Sequence, residues 1–285
     1  MRHPFLSFTF VCLATALGVN ACSASAKKSD TPIVLVSVLP QAYFVERLAG
    51  DWVDVVVMVP PGANPSTFEP TMAQLRAASQ GMVYIKIGHQ HFPFESTWLA
   101  NLLESTPQLK AADGSTGIAM GEEDPHVWTS PRNAAVMAKN YAEALIEVIP
   151  EHEIAIRDNL TRLQEDIAAL DAEISDLLGN GEGQDRKFLV LHPAWGYFAD
   201  QYGLVQTAIE EDGKKPDPEA LIEIIKTARA DRIRVVFTQP QFTGRGAEVV
   251  ASEIGATVIE IDPLAPDWAE NLRRTARAIR EAIDS

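Results

Sequence analysis

The chain has 285 residues, of which 46% are hydrophobic and 22% charged, a composition that fits a folded globular protein and argues against disorder. Its formal net charge of −15 argues against binding to nucleic acid or to an anionic membrane surface, because phosphate groups would be repelled. The length suffices for two ordinary domains, or one large one, with a substantial core.

The first 22 residues predict an export signal. A basic start at residues 1–2 precedes an apolar run over residues 5–19, which is short for a membrane span and typical of a secretory signal. A loose lipoprotein box ends at Cys22, and residues 24–26 form an alternative signal-peptidase site. We favour lipidation, because it accounts for Cys22; a buried N-terminal helix is the other interpretation. The mature protein is expected in the periplasm or on the outer face of the cytoplasmic membrane, anchored through Cys22.

Short apolar runs rich in β-branched residues alternate with helix-length segments along the mature chain. This pattern is typical of buried parallel strands in α/β layers. The predicted strands are Ile33–Val38, Val53–Val59 and Met82–Ile87 in a first group, and Phe188–Leu191, Leu204–Ile209, Arg234–Thr238 and Thr257–Ile261 in a second. The predicted helices beside them are Ala42–Leu48, Thr71–Ala78, Pro218–Ala230, Gly246–Glu253 and Trp268–Ile283.

The middle of the chain predicts two consecutive helices. Ser130-Pro131 is a favourable helix start, and Pro150 ends or kinks the first helix. A second, long helix extends from Glu151 to Leu178. Its apolar residues recur three and four positions apart and form one stripe. The stripe consists of Leu160, Leu163, Ile167, Leu170, Ile174 and Leu177.

These patterns predict an α/β fold of two parallel-sheet lobes joined by one long rigid helix. The expected organisation is a signal over residues 1–22, a lobe over 30–130, a helical segment over 131–183 and a second lobe over 184–285. We expect a monomer whose lobes cover the stripe, with a coiled-coil dimer helix as the alternative.

Four of the six histidines fall in loops at predicted strand ends or before a predicted helix: His89, His91, His126 and His192. Asp262 follows the last predicted strand. Ligands of open α/β sheets bind outside the carboxyl ends of the strands, and imidazole nitrogens with a carboxylate suit zinc. Each residue is also explained as an ordinary turn residue, and the spacings match no short zinc motif. The residues by themselves suggest a metal site in the cleft between the lobes.

Four motifs follow one another along the chain: VPPGANP with FEP over residues 59–70, DPHVW over 124–128, HPAWGYF over 192–198 and IDPL over 261–264. With them the chain resembles, over about residues 32–283, the metal-binding solute-binding proteins of zinc and manganese ABC importers, the ZnuA/TroA type of cluster A-I. The resemblance implies two α/β lobes bridged by a long helix and a metal site between them. It also implies a carrier, not an enzyme, that delivers a divalent metal ion to an ABC permease in the membrane.

Carried over by motif, the resemblance implies that His126, His192 and Asp262 are metal ligands. It favours zinc over manganese or iron, because manganese-binding members tend to have a carboxylate at the position of His192. The family usually has a histidine at the position of Ser66, and a protonated serine hydroxyl is a poor zinc ligand.

Two alternatives could replace the family's histidine ligand at the position of Ser66. A histidine of the loop after the third predicted strand supplies the nitrogen, with His89 preferred and His91 as the alternative. Otherwise a water completes the shell, held by Ser66 or Glu69. An open fourth position also makes a zinc-dependent hydrolase conceivable, with Glu69 as its base. A metal-binding surface adhesin on the same scaffold is a further alternative.

Overall fold

The computed structural model describes residues 31–179, 186–210 and 216–284. The predicted export signal, with Cys22 and both cleavage sites, lies outside these described residues. No helix within them combines the length and the apolar character needed to cross a membrane.

The N-terminal lobe is a parallel sheet flanked by helices. Its strands are β1 (Ile33–Val36), β2 (Asp54–Val57), β3 (Gly81–Lys86) and β4 (Lys110–Asp113), in the order β2-β1-β3-β4. Its helices are α1 (Leu39–Ala49), α2 (Met72–Ala78) and α3 (Ala100–Ser105). Our sequence analysis missed β4 and α3, because both are short and β4 is a sheet edge whose residues are exposed or half-buried.

Two helices connect the lobes. Helix α4 (Pro131–Val148) begins at Ser130, whose Oγ accepts a hydrogen bond from the N–H of Asn133 at 3.2 Å. A short 3₁₀ turn over Pro150–His152 follows, and α5 (Glu153–Leu178) extends over 26 residues. At the usual rise of 1.5 Å per residue, α5 is about 39 Å long.

The C-terminal lobe repeats the arrangement of the first. Its strands are β5 (Lys187–Val190), β6 (Val205–Ala208), β7 (Val235–Thr238) and β8 (Thr257–Glu260), all parallel and in the order β6-β5-β7-β8. Its helices are α6 (Gly196–Tyr202), α7 (Pro218–Ala230), α8 (Arg245–Ile254) and α9 (Trp268–Asp284). The predicted α/β fold of two parallel sheets and a long helix is confirmed.

Helix α5 is covered by helices of its own chain, since it packs against α1, α4 and α9. The predicted stripe needs one correction at its end. Leu177 is 36% exposed, whereas Leu178 is only 1% exposed and continues the buried face from Ile174. Residues three and four positions on from Ile174 both lie on that side of a helix, so periodicity does not choose between them.

One main hydrophobic core extends through the N-terminal lobe, α4 and α5 and into the C-terminal lobe. A smaller cluster in the C-terminal lobe lies where the sheet meets α7 and α8, around Leu189, Val236 and Val250. The long helix therefore shares one core with both sheets, and this common core holds the carboxyl ends of their strands in a defined relation.

The stripe gives a direct test of this packing. Ile174→Ala removes a fully buried side chain, and we expect the free energy of unfolding to fall by roughly 2–5 kcal/mol. Leu177→Ala, three residues away and 36% exposed, is the matched control and should cost clearly less. Urea denaturation measures both; equal losses would contradict the assignment of the buried face.

Candidate metal centre

Two of the predicted ligands, His126 and His192, lie side by side although they are far apart in the sequence. His126 lies in the turn before α4, and His192 follows β5 of the C-terminal lobe. Their rings are 5.4 Å apart between centroids, edge to face, with an interplanar angle of 77°. The structure therefore brings the imidazole of the turn before α4 and that of the loop after β5 to one place.

Two buried tryptophans connect the loops that carry His126 and Asp262. The indole N–H of Trp128 donates to the carbonyl oxygen of Pro263 at 2.7 Å, and the indole N–H of Trp268 donates to the carbonyl oxygen of Trp128 at 2.7 Å. We call this pair of hydrogen bonds the tryptophan clasp. It ties the turn after His126 to the loop after Asp262, because Trp128 and Pro263 are their near neighbours in sequence.

His192 is held in an apolar environment. Its ring stacks on Phe242 with centroids 4.7 Å apart, and its carbonyl oxygen accepts a hydrogen bond from Nε2 of Gln239 at 2.8 Å. Within the described part of the chain, its Nδ1 is buried and has no hydrogen-bond partner. Burial, together with the neighbouring His126, lowers the pKa of His192 to about 3. The ring is therefore neutral at physiological pH and retains the lone pair that a metal ligand needs.

The carboxylate of Asp124 contacts His126 twice. One oxygen, Oδ1, accepts the backbone N–H of His126 at 2.9 Å and lies 2.7 Å from its Nδ1. An ionised carboxylate only accepts hydrogen bonds, so this contact assigns the proton to Nδ1. The lone pair of the neutral ring is then on Nε2.

Asp262 is also held by its neighbours. Its Oδ1 accepts from Nε2 of Gln241 at 2.8 Å and from the N–H of Leu264 at 2.9 Å. Its carbonyl oxygen accepts from Nδ2 of Asn271, on α9, at 2.7 Å. These bonds fix the loop and one carboxylate oxygen.

His89 is buried, and both of its ring nitrogens are engaged. Its Nδ1 accepts the backbone N–H of His91 at 3.1 Å, so its Nε2 carries the proton and donates to the carbonyl oxygen of Gly121 at 2.8 Å. His91 is exposed, and its ring centroid lies 5.8 Å from that of His89. To bind a metal through either nitrogen, His89 would have to break one of these hydrogen bonds.

The buried carboxyl group of Glu95 supports the turn that leads to His89. It accepts the N–H of Ile87 at 2.6 Å, the N–H of Gly88 at 2.9 Å and the hydroxyl of Ser37. Burial raises the pKa of Glu95 above its ordinary value, although these hydrogen bonds oppose the shift. Sequence reasoning missed this residue, because its partners come from two different strand ends.

The predicted ligands do not form a closed metal site as they stand. Among residues 31–179, 186–210 and 216–284, no three His, Cys, Asp or Glu side chains are grouped so that they could hold a metal ion. Ser66 and Glu69 are exposed, and the N–H of Ser66 donates to Oδ1 of Asn64 at 2.8 Å. The His126 and His192 pair is the part of the candidate centre that the fold assembles, and further ligands would require side chains to rotate.

The sequence and the fold are similar to those of known proteins. The family model described as "Zinc-uptake complex component A periplasmic" (ZnuA) matches residues 34–282. A solved structure described as that of ZnuA superimposes with a TM-score of 0.85 at 37% sequence identity, covering 89% of this chain and 100% of that chain.

The descriptions of related proteins mention different metals. A putative metal-binding protein of Chlamydia trachomatis is 29% identical over 93% of this chain and 96% of its own length. The manganese ABC transporter substrate-binding lipoprotein PsaA of Streptococcus pneumoniae is 24% identical over 85% of this chain and 83% of its own. The iron-binding protein YfeA of Yersinia pestis is 26% identical over 93% and 90%.

The tryptophan clasp can be tested through Trp128→Phe. Phenylalanine lacks the indole N–H, so the carbonyl oxygen of Pro263 loses its donor, and we expect a loss of about 1–3 kcal/mol in unfolding free energy. Trp98→Phe, at a half-buried position of the N-terminal lobe, is the matched control and should cost less. Guanidinium denaturation gives both values; equal stability of the two variants would contradict the clasp.

The raised pKa of Glu95 predicts a pH dependence of stability. The folded protein binds this proton more tightly than the unfolded chain, whose value is near 4.5. The stability it contributes is therefore complete below pH 4.5 and is lost as the pH rises through the folded-state pKa. Relative to Glu95→Gln, the wild type should lose at most about 1.4 kcal/mol per pH unit in that window.

Denaturant titrations at a series of pH values from about 4 to 8 measure this difference. Glu46→Gln, at an exposed position on α1, is the matched control, and its difference from the wild type should stay flat. A difference in stability between the wild type and Glu95→Gln that stays constant over this pH range would contradict the assignment.

Proposed function

The chain belongs to the ZnuA family of metal-binding substrate-binding proteins of ABC transporters, and we propose that it captures zinc outside the cytoplasm and delivers it to the permease of such a transporter. Members of this family are transport components and not enzymes, which sets aside the zinc-dependent hydrolase considered from the sequence. Substrate-binding proteins of this kind act together with a membrane permease and an ATPase.

The juxtaposition of His126 and His192 is the observation that carries the proposal. Zinc bonds to imidazole nitrogens at about 2.0–2.1 Å with tetrahedral angles, so two such nitrogens on one ion lie about 3.3 Å apart. Ring centroids 5.4 Å apart are compatible with that separation after small rotations of the rings. His192 is neutral and has a buried, unpaired Nδ1, and His126 presents Nε2, so each ring has a lone pair to offer.

Asp262 is the proposed third ligand. Its Oδ1 is held by Gln241 and Leu264, an arrangement that orients a ligating carboxylate in many metal sites. The tryptophan clasp joins its loop to that of His126. The proposed ligands thus come from loops that the fold already connects.

The fourth position is proposed for the loop after β3, by way of His89 or His91. His89 would exchange the hydrogen bond that its Nδ1 accepts from the N–H of His91 for the metal, whereas His91 is exposed and would only have to turn. A water molecule held by Ser66 or Glu69 is the remaining arrangement.

Two imidazoles with one carboxylate favour zinc, because imidazole suits borderline metals and manganese prefers oxygen ligands. The relative PsaA is described as a manganese transporter protein and the relative YfeA as an iron-binding protein. The choice of zinc for this chain is therefore a more specific proposal than the binding of a metal ion. The acidic chain, with its net charge of −15, would raise the local concentration of cations. We propose the periplasm or the outer face of the cytoplasmic membrane as the location, with Cys22 as the lipid anchor.

Isothermal titration calorimetry of the metal-free protein with zinc tests the site. His126→Ala, His192→Ala and Asp262→Ala should each weaken binding by more than about 100-fold, since even outer-shell partners of metal sites cost about 10–100-fold. His152→Ala is the matched control, because that histidine stacks on Trp52 at 4.3 Å and is not a proposed ligand. Retention of zinc after loss of both His126 and His192 would overturn the site.

The same titration assigns the fourth ligand. A loss with His89→Ala but not with His91→Ala supports His89, and the reverse supports His91. Wild-type affinity in both, with a loss in Ser66→Ala, supports a bound water. Manganese titrated against the same proteins should bind more weakly than zinc, and tighter binding of manganese would contradict the choice of metal.

A further inference from the structure

We propose that Asp124 is the positioning residue that fixes the ring orientation and tautomer of His126 for metal capture. The inference rests on the proposed function, because it gives His126 the role of a ligand. It adds a residue that would not touch the metal itself and that acts through the histidine.

The contact to the ring is the first observation. Asp124 Oδ1 lies 2.7 Å from His126 Nδ1, the length of a hydrogen bond between a donor nitrogen and an ionised acceptor. An aspartate before proline often accepts a backbone N–H two residues on, and its 2.9 Å bond to the N–H of His126 is explained in that way. The bond to the ring is not part of such a turn and selects one tautomer.

The selected tautomer is the one that metal binding through Nε2 requires. With the proton on Nδ1, Nε2 holds the lone pair of the neutral ring. Metal-binding histidines usually donate their other ring N–H to a carboxylate or carbonyl, which orients the ring and increases its basicity. Asp124 supplies this partner before any metal arrives.

The C-terminal lobe holds Asp124 in place, which is the second observation. The hydroxyl of Tyr197 donates to the carbonyl oxygen of Asp124 at 2.9 Å and accepts the N–H of Gly121 at 2.8 Å. The carboxylate lies against Gly196, where a Cβ would come within 2.5 Å of Asp124 Oδ2. Because Gly196 has no side chain, the carboxylate of Asp124 has room to lie beside His126.

Two kinds of variant separate positioning from charge. Asp124→Ala removes the carboxylate, and Asp124→Asn keeps an acceptor of similar size without the negative charge. Glu122→Gln removes a negative charge from an exposed position of the same loop and is the matched control. The readouts are the zinc affinity by calorimetry and the protonation of the His126 ring nitrogens by ¹⁵N NMR of the metal-free protein.

We expect Asp124→Ala to weaken zinc binding about 10–100-fold, as loss of outer-shell partners does, and Asp124→Asn to weaken it less. In the wild type, His126 should be protonated at Nδ1, and Asp124→Ala should shift protonation towards Nε2. Glu122→Gln should leave both readouts unchanged. A role limited to folding would lower the melting temperature without changing the tautomer.

Gly196→Ala tests the same contact from the opposite side. The added methyl group would displace the carboxylate while the charge of the protein stays the same. The backbone of Gly196 is outside the left-handed region, so alanine fits it without strain. We expect weaker zinc binding and the same tautomer shift, whereas the matched control Gly244→Ala, whose Cβ would find its nearest atom at 3.6 Å, should match the wild type.

Wild-type zinc affinity in both Asp124→Ala and Gly196→Ala would overturn the inference, and so would a wild-type His126 protonated at Nε2. Failure of the wild type to bind zinc would instead overturn the proposed function. In that case the NMR measurement on the metal-free protein alone decides whether Asp124 positions His126.

Discussion

The candidate centre depends on the tryptophan clasp. Two indole N–H groups donate to carbonyl oxygens 135 and 140 residues away in sequence, and both tryptophans are almost fully buried. A buried carbonyl oxygen without a donor is costly, so these bonds specify how the turn before α4 meets the loop after β8. Proposed ligands on separate segments can serve one ion only if such contacts keep the segments together.

The proposed metal ligands are engaged in hydrogen bonds and do not form a closed coordination shell. His126 is bonded to Asp124, His89 to Gly121, and Asp262 to Gln241. Some of these bonds would persist around a bound ion, and others would be exchanged for it. A carrier that must also release its cargo benefits from such an exchange, because these three side chains keep hydrogen-bond partners in the metal-free state.

Ser66 sets this chain apart from the pattern of the family it belongs to. With serine at that position, the proposed source of a fourth nitrogen is the loop after β3, whose turn at Ile87 and Gly88 is held by the buried carboxyl group of Glu95. The N-terminal lobe would then contribute through a different strand end. The architecture permits this, because parallel strands of one sheet end at the same edge.

The sequence by itself determined the alternation of strands and helices, the cap of α4, the bounds of α7, and the motif residues from which the family was identified. These features depend on interactions within about four residues, which periodicity and capping patterns express. It did not reveal β4, the choice of Leu178 over Leu177, or the engagement of both nitrogens of His89. Only the tertiary structure decided these, because each depends on neighbours that lie far away along the chain or at a sheet edge.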